Sequence, residues 1–274
     1  DNYVELTREG RVLALIDLLA DDGTGLKLYS TPNEDALQDI SLSLNNINMA
    51  ELTSVMPYAP QLGGLLHGDL HYMQADSATT ISTDIGIRRM TYEGTPMGDM
   101  GLNAIYFPNT DGSHHVDAVV TQNDNEIAML AGTYWEQNGE GQIDAEATLE
   151  SLPLSLANAF LPEGTIRLKG ATSGSLTITG RAANPLMTGS LATEGVHVLA
   201  EDYSVDLSIP DDTLRVNNSY LDLDRIEAYA AGKSPLTIDG SINFSDLDNI
   251  RLSLDLAAKK YKLIDAPQSH TALA

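Results

Sequence analysis

Apolar and polar residues alternate along this chain with a period of two, most plainly from the middle to the end. Ser175-Leu176-Thr177-Ile178-Thr179, Leu214-Arg215-Val216, Leu221-Asp222-Leu223, Leu236-Thr237-Ile238-Asp239 and Leu252-Ser253-Leu254-Asp255-Leu256 are the clearest runs. Successive side chains of a strand point to opposite faces, so each run predicts one apolar and one polar face. Turn-forming pairs separate the runs: Asp22-Gly23, Asp111-Gly112, Asn138-Gly139, Pro210-Asp211-Asp212, Asn217-Asn218 and Asp239-Gly240. Asp outnumbers Glu 25 to 14, which suits turns and strand edges better than helix interiors. The pattern predicts an all-β chain of hairpins: a long, curled, antiparallel-rich sheet with one or two short capping helices.

Two segments depart from the alternation. Asn48 as N-cap with Glu51 three residues on, followed by Leu52, Val55 and Met56, predicts a short helix that Pro57 ends. Leu152 to Leu161, with Pro153 in a first-turn position and Leu154, Ala157, Phe160 and Leu161 on one side, predicts a second that Pro162 ends. The two segments also mark an internal repeat. Met56-Pro57 answers Leu161-Pro162, Gly64 to Leu70 answers Gly170 to Leu176, and Met90-Thr91-Tyr92 falls on Val196-His197-Val198. The period of about 106 is long for a solenoid coil and reads as a duplicated module. The organisation expected is a leading β segment over 1–47, a helix-plus-strands module over 48–150, a related module over 151–265 and a tail over 266–274.

Composition narrows the partners. With 39 Asp plus Glu against 15 Lys plus Arg, the net charge is −24, which opposes binding to a phosphate backbone or a polybasic grip on anionic membranes. There is no cysteine, hence no disulfide frame and no thiol nucleophile. The most apolar early stretch, Val12 to Ala20, contains Asp17 and is far shorter than the ~20 residues of a membrane helix. No signal peptide is visible, and the start at Asp1 reads as an excised or processed product. Roughly 16 to 20 strands at about 4.8 Å spacing would make a sheet of roughly 75–95 Å, which must twist and curl. Two short helices cannot cover its apolar face. That face has three fates: a second sheet closes over it, the sheet folds on itself, or an apolar ligand such as a lipid acyl chain fills it.

The residues that could carry chemistry do not assemble a catalytic pattern. Gly232-Lys233-Ser234 lacks the upstream glycine of a phosphate loop, since Glu227 stands there, and reads as a turn. No G-x-S-x-G elbow is present. Of His114 and His115, neighbours on a strand, only one can share a face with Asp117. His67 and His71 have helical metal-ligand spacing, but Gly63, Gly64 and Gly68 make that segment a strand, where the pair lie some 13 Å apart. Asp222 and Asp224 share the solvent side. Asn109-x-Asp111-Gly112 lacks the distal Glu of a calcium loop and reads as a turn. Tyr134 and Trp135 read as strand-edge anchors. No metal, no cofactor and no enzymatic activity are expected.

One stretch carries a family resemblance. It comprises Leu152 to Gly164, Gly174-Ser175-Leu176-Thr177-Ile178-Thr179-Gly180, Asn184-Pro185-Leu186-Met187-Thr188-Gly189-Ser190-Leu191 and Ala231-Gly232-Lys233-Ser234-Pro235-Leu236-Thr237-Ile238-Asp239-Gly240. Its order of glycine, alternating strand, glycine, proline and glycine resembles the C-terminal part of the TamB family, the translocation and assembly module proteins, most closely the Bacteroidetes type. The resemblance spans about 110 residues. It implies a non-enzymatic protein of the Gram-negative envelope: a periplasmic β-taco trough, anchored in the inner membrane by an N-terminal segment absent here, working with an outer-membrane Omp85-type barrel. It places the chain with bridge-like lipid-transfer proteins that move phospholipid toward the outer membrane, with a role in protein secretion and outer-membrane protein assembly also attributed to the family. The motifs are strand and turn signatures, so no functional residue is carried over.

The expected function is therefore carriage or shielding of phospholipid acyl chains in an apolar β-groove. The alternative is a non-enzymatic chaperone or scaffold for outer-membrane protein assembly. The alternation assigns the groove lining to Leu176, Ile178, Val196, Val198, Leu214, Val216, Leu221, Leu223, Leu236, Ile238, Ile242, Phe244, Leu252 and Leu254.

Overall fold

The computed structural model describes residues 2–56, 59–75, 78–161, 166–200, 205–230, 234–246 and 249–261. Strand makes up 72% of it and helix only 5%, so the all-β expectation holds. The strands are Tyr3–Leu6 (β1), Val12–Leu19 (β2), Gly25–Ser30 (β3), Gln38–Asn48 (β4), Leu62–Ala75 (β5), Ala78–Tyr92 (β6), Thr95–Pro108 (β7), His114–Gln122 (β8), Asn125–Gln137 (β9) and Glu140–Pro153 (β10). They continue with Arg167–Arg181 (β11), Leu186–Ala200 (β12), Val205–Ile209 (β13), Thr213–Asn217 (β14), Tyr220–Ala228 (β15), Leu236–Asn243 (β16) and Arg251–Ala258 (β17). All 17 belong to one antiparallel sheet that is not closed into a barrel. From β1 to β10 each strand pairs with the next. β12 pairs with β13 and β14, and β14 to β17 again follow chain order. Two compact units result: Asp1–Glu150 with Thr177–Pro185, and Ser151–Leu176 with Leu186–Ala274.

Both short helices occur. Met49–Ser54 (α1) starts at Asn48, whose side chain accepts the Ala50 N–H and donates to Glu51 at 2.8 Å. The second segment is a 3₁₀ helix over Leu154–Phe160 rather than an α-helix from Leu152. Pro153 sits outside it as the N-cap, with extended ψ and no side-chain cap, since its ring carries no acceptor for the exposed N–H groups. Pro57 and Pro162 lie outside the described residues, as does the tail over 266–274.

Most turn signals are turns. Asn138-Gly139 joins β9 to β10 with φ of 55° and 80°, the left-handed pair of a tight hairpin. At Asn109 to Ser113 the Asp111 carboxylate accepts the Ser113 N–H and hydroxyl. Two signals are corrected. Pro210-Asp211-Asp212 does not reverse the chain: Val196 faces Ile209 and Leu191 faces Leu214 in one uninterrupted register, so β13 and β14 run on as a single line against β12. Proline removes one ladder donor there and splits the line. Asp239-Gly240 lies inside β16, where a side chain on Gly240 would strike the Ser253 carbonyl on β17.

Both misread aspartates have another use. The Asp211 carboxylate accepts the backbone N–H of Gly195 at 2.9 Å, and that of Asp239 accepts the N–H of Arg225 at 2.9 Å. Asp99 does the same for Arg89 at 2.7 Å. Gly195, Arg89 and Arg225 all have φ between 50° and 58°, and the register shifts around Arg89 and Arg225. At Arg89 and Arg225 a bulge leaves an N–H without a ladder partner, and an aspartate on the neighbouring strand satisfies it.

The left-handed positions recur in both modules. Asn46 (φ 53°), Gly64 (φ 111°), Gly68 (φ 129°) and Arg89 (φ 50°) in the first have counterparts 105 or 106 residues later in Ser151 (φ 53°), Gly170 (φ 101°), Gly174 (φ 156°) and Gly195 (φ 58°). Each helix is also clasped to the strand after it. Thr53 Oγ1 accepts the Leu62 N–H at 3.4 Å, while its hydroxyl donates to the Met49 carbonyl at 2.9 Å. Asn158 donates to the Leu168 carbonyl at 3.0 Å and accepts its N–H at 2.7 Å.

Candidate apolar ligand face

Cross-strand register turns the alternation into continuous rows. In the first unit Leu18, Leu26, Leu44, Gly68, Ile85, Leu102, Val120, Ala128 and Leu149 stand opposite one another from β2 to β10. A parallel row on the same face runs through Ile16, Leu28, Leu42, Leu70, Thr83, Ala104, Ala118, Leu130 and Ala147. Directly opposed residues share a face, so these rows form a single apolar surface. None of their members was among the fourteen residues assigned from sequence. The signal was present in Ile40-Ser41-Leu42-Ser43-Leu44, which alternates as cleanly as any run in the second half.

The second unit has its own rows. Gly189, Val216, Leu221, Ile242 and Leu252 form one; Leu223, Gly240 and Leu254 a second; Ile226, Ile238 and Leu256 a third. Leu236 faces Ala228 and Ala258, while Val196 faces Ile209, Val198 faces Leu207 and Leu214 faces Leu191. Leu176 is half-buried in β11, with its Cα 3.0 Å from where a side chain on Gly189 would begin. Ile178 is half-buried on the part of β11 that groups with the first unit, and Phe244, half-buried, donates its N–H to the Ser219 carbonyl. Leu252 and Leu254 lie at the exposed end of the rows, on β17.

No second sheet covers these rows among the described residues, because every strand belongs to the same sheet. Only eleven apolar side chains are buried there, Ala14, Ile127, Val196, Val216 and Ile226 among them. Most row members are half-exposed, and Leu18 and Leu252 are 56% and 62% exposed. A sandwich core would have buried them outright. At one margin of the first unit's apolar face, Tyr106 Oη lies 2.6 Å from His114 Nδ1 with the rings stacked 5.1 Å apart, and Tyr134 stands 6.3 Å from His114.

The opposite face is polar. In the first unit it holds a shallow concavity of about 450 Å³, rimmed by Asp69, His71, Asp84 and Asp117 over a floor that includes Ile105 and Val119. His71 pairs with Asp39 at 2.9 Å. Hydrogen bonds from Asn33, then from His71, hold the Asp39 carboxyl below the usual range. His115, not His114, joins Asp117, at 3.0 Å, as the strand geometry requires. His67 instead lies across the bare backbone of Gly86, apart from His71. Asp222 and Asp224 are both exposed, with Asp222 opposite Arg215. Trp135 is half-buried opposite Gln142. Gly232 and Lys233 lie outside the described residues. No group of three or more His, Asp or Glu that could hold a metal occurs among the described residues, and no helix is long and apolar enough to cross a membrane. No protein-family model, curated protein or solved structure matches this chain.

Proposed function

We propose that this chain carries or shields phospholipid acyl chains along the apolar face of its sheet, as the periplasmic part of a TamB-like bridge in outer-membrane biogenesis. The reading is carried by one observation: apolar rows that cross strand after strand within each unit, half-exposed, with no second sheet over them. An apolar surface of that extent calls for an apolar partner. Acyl chains lying on it would leave water with about 25 cal/mol gained per Å² of apolar area buried. The rows hold side chains such as Leu26, Leu44, Ile85 and Leu102 in the first unit and Val216, Leu221 and Ile242 in the second, with no charged group among them. A ligand so held has many equivalent positions and slides rather than docks. The polar face and the −24 net charge keep the outer side in water. An N-terminal inner-membrane anchor and an Omp85-type barrel partner complete the proposal, through parts of the parent protein outside this chain.

The test is capture of a photoreactive phospholipid by the chain, alongside lipid extraction from protein purified from cells. Leu221→Asp with Ile242→Asp, and separately Ile85→Asp with Leu102→Asp, should abolish crosslinking while the β circular dichroism stays intact. Crosslinking that persists in the folded variants would sink the reading. Competition by an amphipathic barrel-strand peptide, with no lipid recovered, would favour the chaperone alternative.

A further inference from the structure

One end of the first unit's apolar face is built differently from the rest. Ile40, Tyr72, Ile81, Tyr106 and Val116 stand opposite one another from β4 to β8. Pro108, His114, Tyr134 and Ile143 make the next row, from β7 to β10. One step further on the same face, Glu136 stands opposite Gly141. Along β9 the face therefore passes from Leu130 through Gly132 to Tyr134 and then to Glu136: hydrocarbon, aromatic ring, carboxylate.

The rings are held in place. The Tyr106 hydroxyl and His114 Nδ1 satisfy each other at 2.6 Å, with the two rings stacked 5.1 Å apart. Tyr134, 6.3 Å from His114, lies over the bare backbone of Gly141, where a Cβ would come within 2.6 Å of its ring. Backed by Gly141 and 36% exposed, Tyr134 keeps its other ring face open. Tyrosine joins an apolar body to a polar tip and suits the level at which an amphiphile changes from one to the other. Its ring also attracts a cation, and a carboxylate one step beyond adds to that attraction. Neither row carries Lys or Arg, and Arg181, near this end of β10, is engaged by Glu140 at 3.3 Å. An anionic head meets no free cation in these rows and is repelled by the −24 net charge.

We infer that the Tyr106–His114–Tyr134 cluster is a head-group station on the first unit's face, selective for an acyl lipid with an ammonium head over one with an anionic head. The inference rests on the lipid reading above and specifies its ligand. The acyl chains lie over Val116, Ala118 and Leu130, which share the face. The glycerol and phosphate reach the Tyr134 hydroxyl and the His114 ring, and the ammonium sits over the open face of Tyr134, toward Glu136.

The test uses the full chain and two photoreactive phospholipids in neutral maltoside micelles. Their diazirine-bearing acyl chains are matched, and they differ only in the head group, ethanolamine or glycerol. At about 0.15 M salt, where the Debye length is about 8 Å, the ethanolamine probe should be captured about fivefold more than the glycerol probe. Tyr134→Leu and Glu136→Gln alter exposed side chains, and Gly141→Ala pushes the Tyr134 ring from behind. Each should bring that ratio below about twofold. Glu146→Gln removes an exposed carboxylate from the opposite face and should leave the ratio unchanged. Taking the ratio within each variant cancels differences in overall capture. Repulsion by the net charge acts alike on the wild type and on Tyr134→Leu, so the drop between them reports the cluster. Equal capture of the two probes by the wild type, or a ratio that Tyr134→Leu leaves unchanged, would overturn the inference while the lipid reading stands. Capture of neither probe would overturn both.

Discussion

The module from Asn46 to Tyr92 and the module from Ser151 to Ala200 solve the same backbone problem with different side chains. Four left-handed positions coincide at an offset of 105 or 106, but the residues are Asn and Ser, Gly and Gly, Gly and Gly, Arg and Gly. The clasp from helix to strand is Thr in one and Asn in the other. The N–H of the last left-handed residue finds an aspartate in both, Asp99 for Arg89 and Asp211 for Gly195, the first on a strand and the second between two. The helices themselves differ: α1 leaves Leu52, Val55 and Met56 exposed, whereas Leu154, Leu156 and Ala157 are half-buried. What repeats is the set of conformations and satisfied N–H groups, not the residues that supply them.

The largest test of that equivalence is steric. A Cβ at Gly64 would lie 2.6 Å from the Arg88 carbonyl and one at Gly170 would lie 2.6 Å from the Glu194 carbonyl, both at positive φ. Gly64→Ala and Gly170→Ala should each cost about 3 kcal/mol in urea unfolding. Gly112→Ala, with positive φ but open space around it, should cost only about 1 kcal/mol. Unequal costs at 64 and 170 would break the equivalence.

The clasps should separate the modules. Asn158→Ala removes two short bonds to the next strand and should cost about 1–2 kcal/mol, while Thr53→Ala removes a 2.9 Å bond within its own helix and only a 3.4 Å contact with the next strand, and should cost about 1 kcal/mol or less. Hydrogen exchange at Leu168 and Leu62 would report each locally. The aspartate acceptors come next: Asp99→Ala and Asp211→Ala should each cost about 1 kcal/mol, with Asn at either site recovering most of it by keeping an acceptor.

The smallest effect is acid sensitivity. Asp39 has its folded pKa depressed by Asn33 and His71, so its contribution is complete above the ordinary carboxylate value of about 3.9 and is lost as the pH falls through that value toward the lower folded one. Asp39→Asn should flatten acid unfolding of the first unit below about pH 4. An unchanged acid limb would remove Asp39 from the account.

Period-two alternation alone determined that this chain is a sheet, which side of each strand is apolar, and that His115 rather than His114 can meet Asp117. These follow from the strand's two-residue period, a property of covalent geometry that needs no partner. The glycine spacing showed the 106-residue repeat for the same reason, since positive φ demands glycine or a few polar residues locally. Tertiary structure decided the rest. Asp211 and Asp239 look like turn residues by composition, and only the left-handed residue across from each, Gly195 and Arg225, makes them acceptors. Register alone joined Leu18 to Leu149 and Gly189 to Leu252 into rows, because a row is a relation among strands far apart in sequence. That most row members are half-exposed among the described residues is likewise a property of the fold, which no local pattern of leucines can specify.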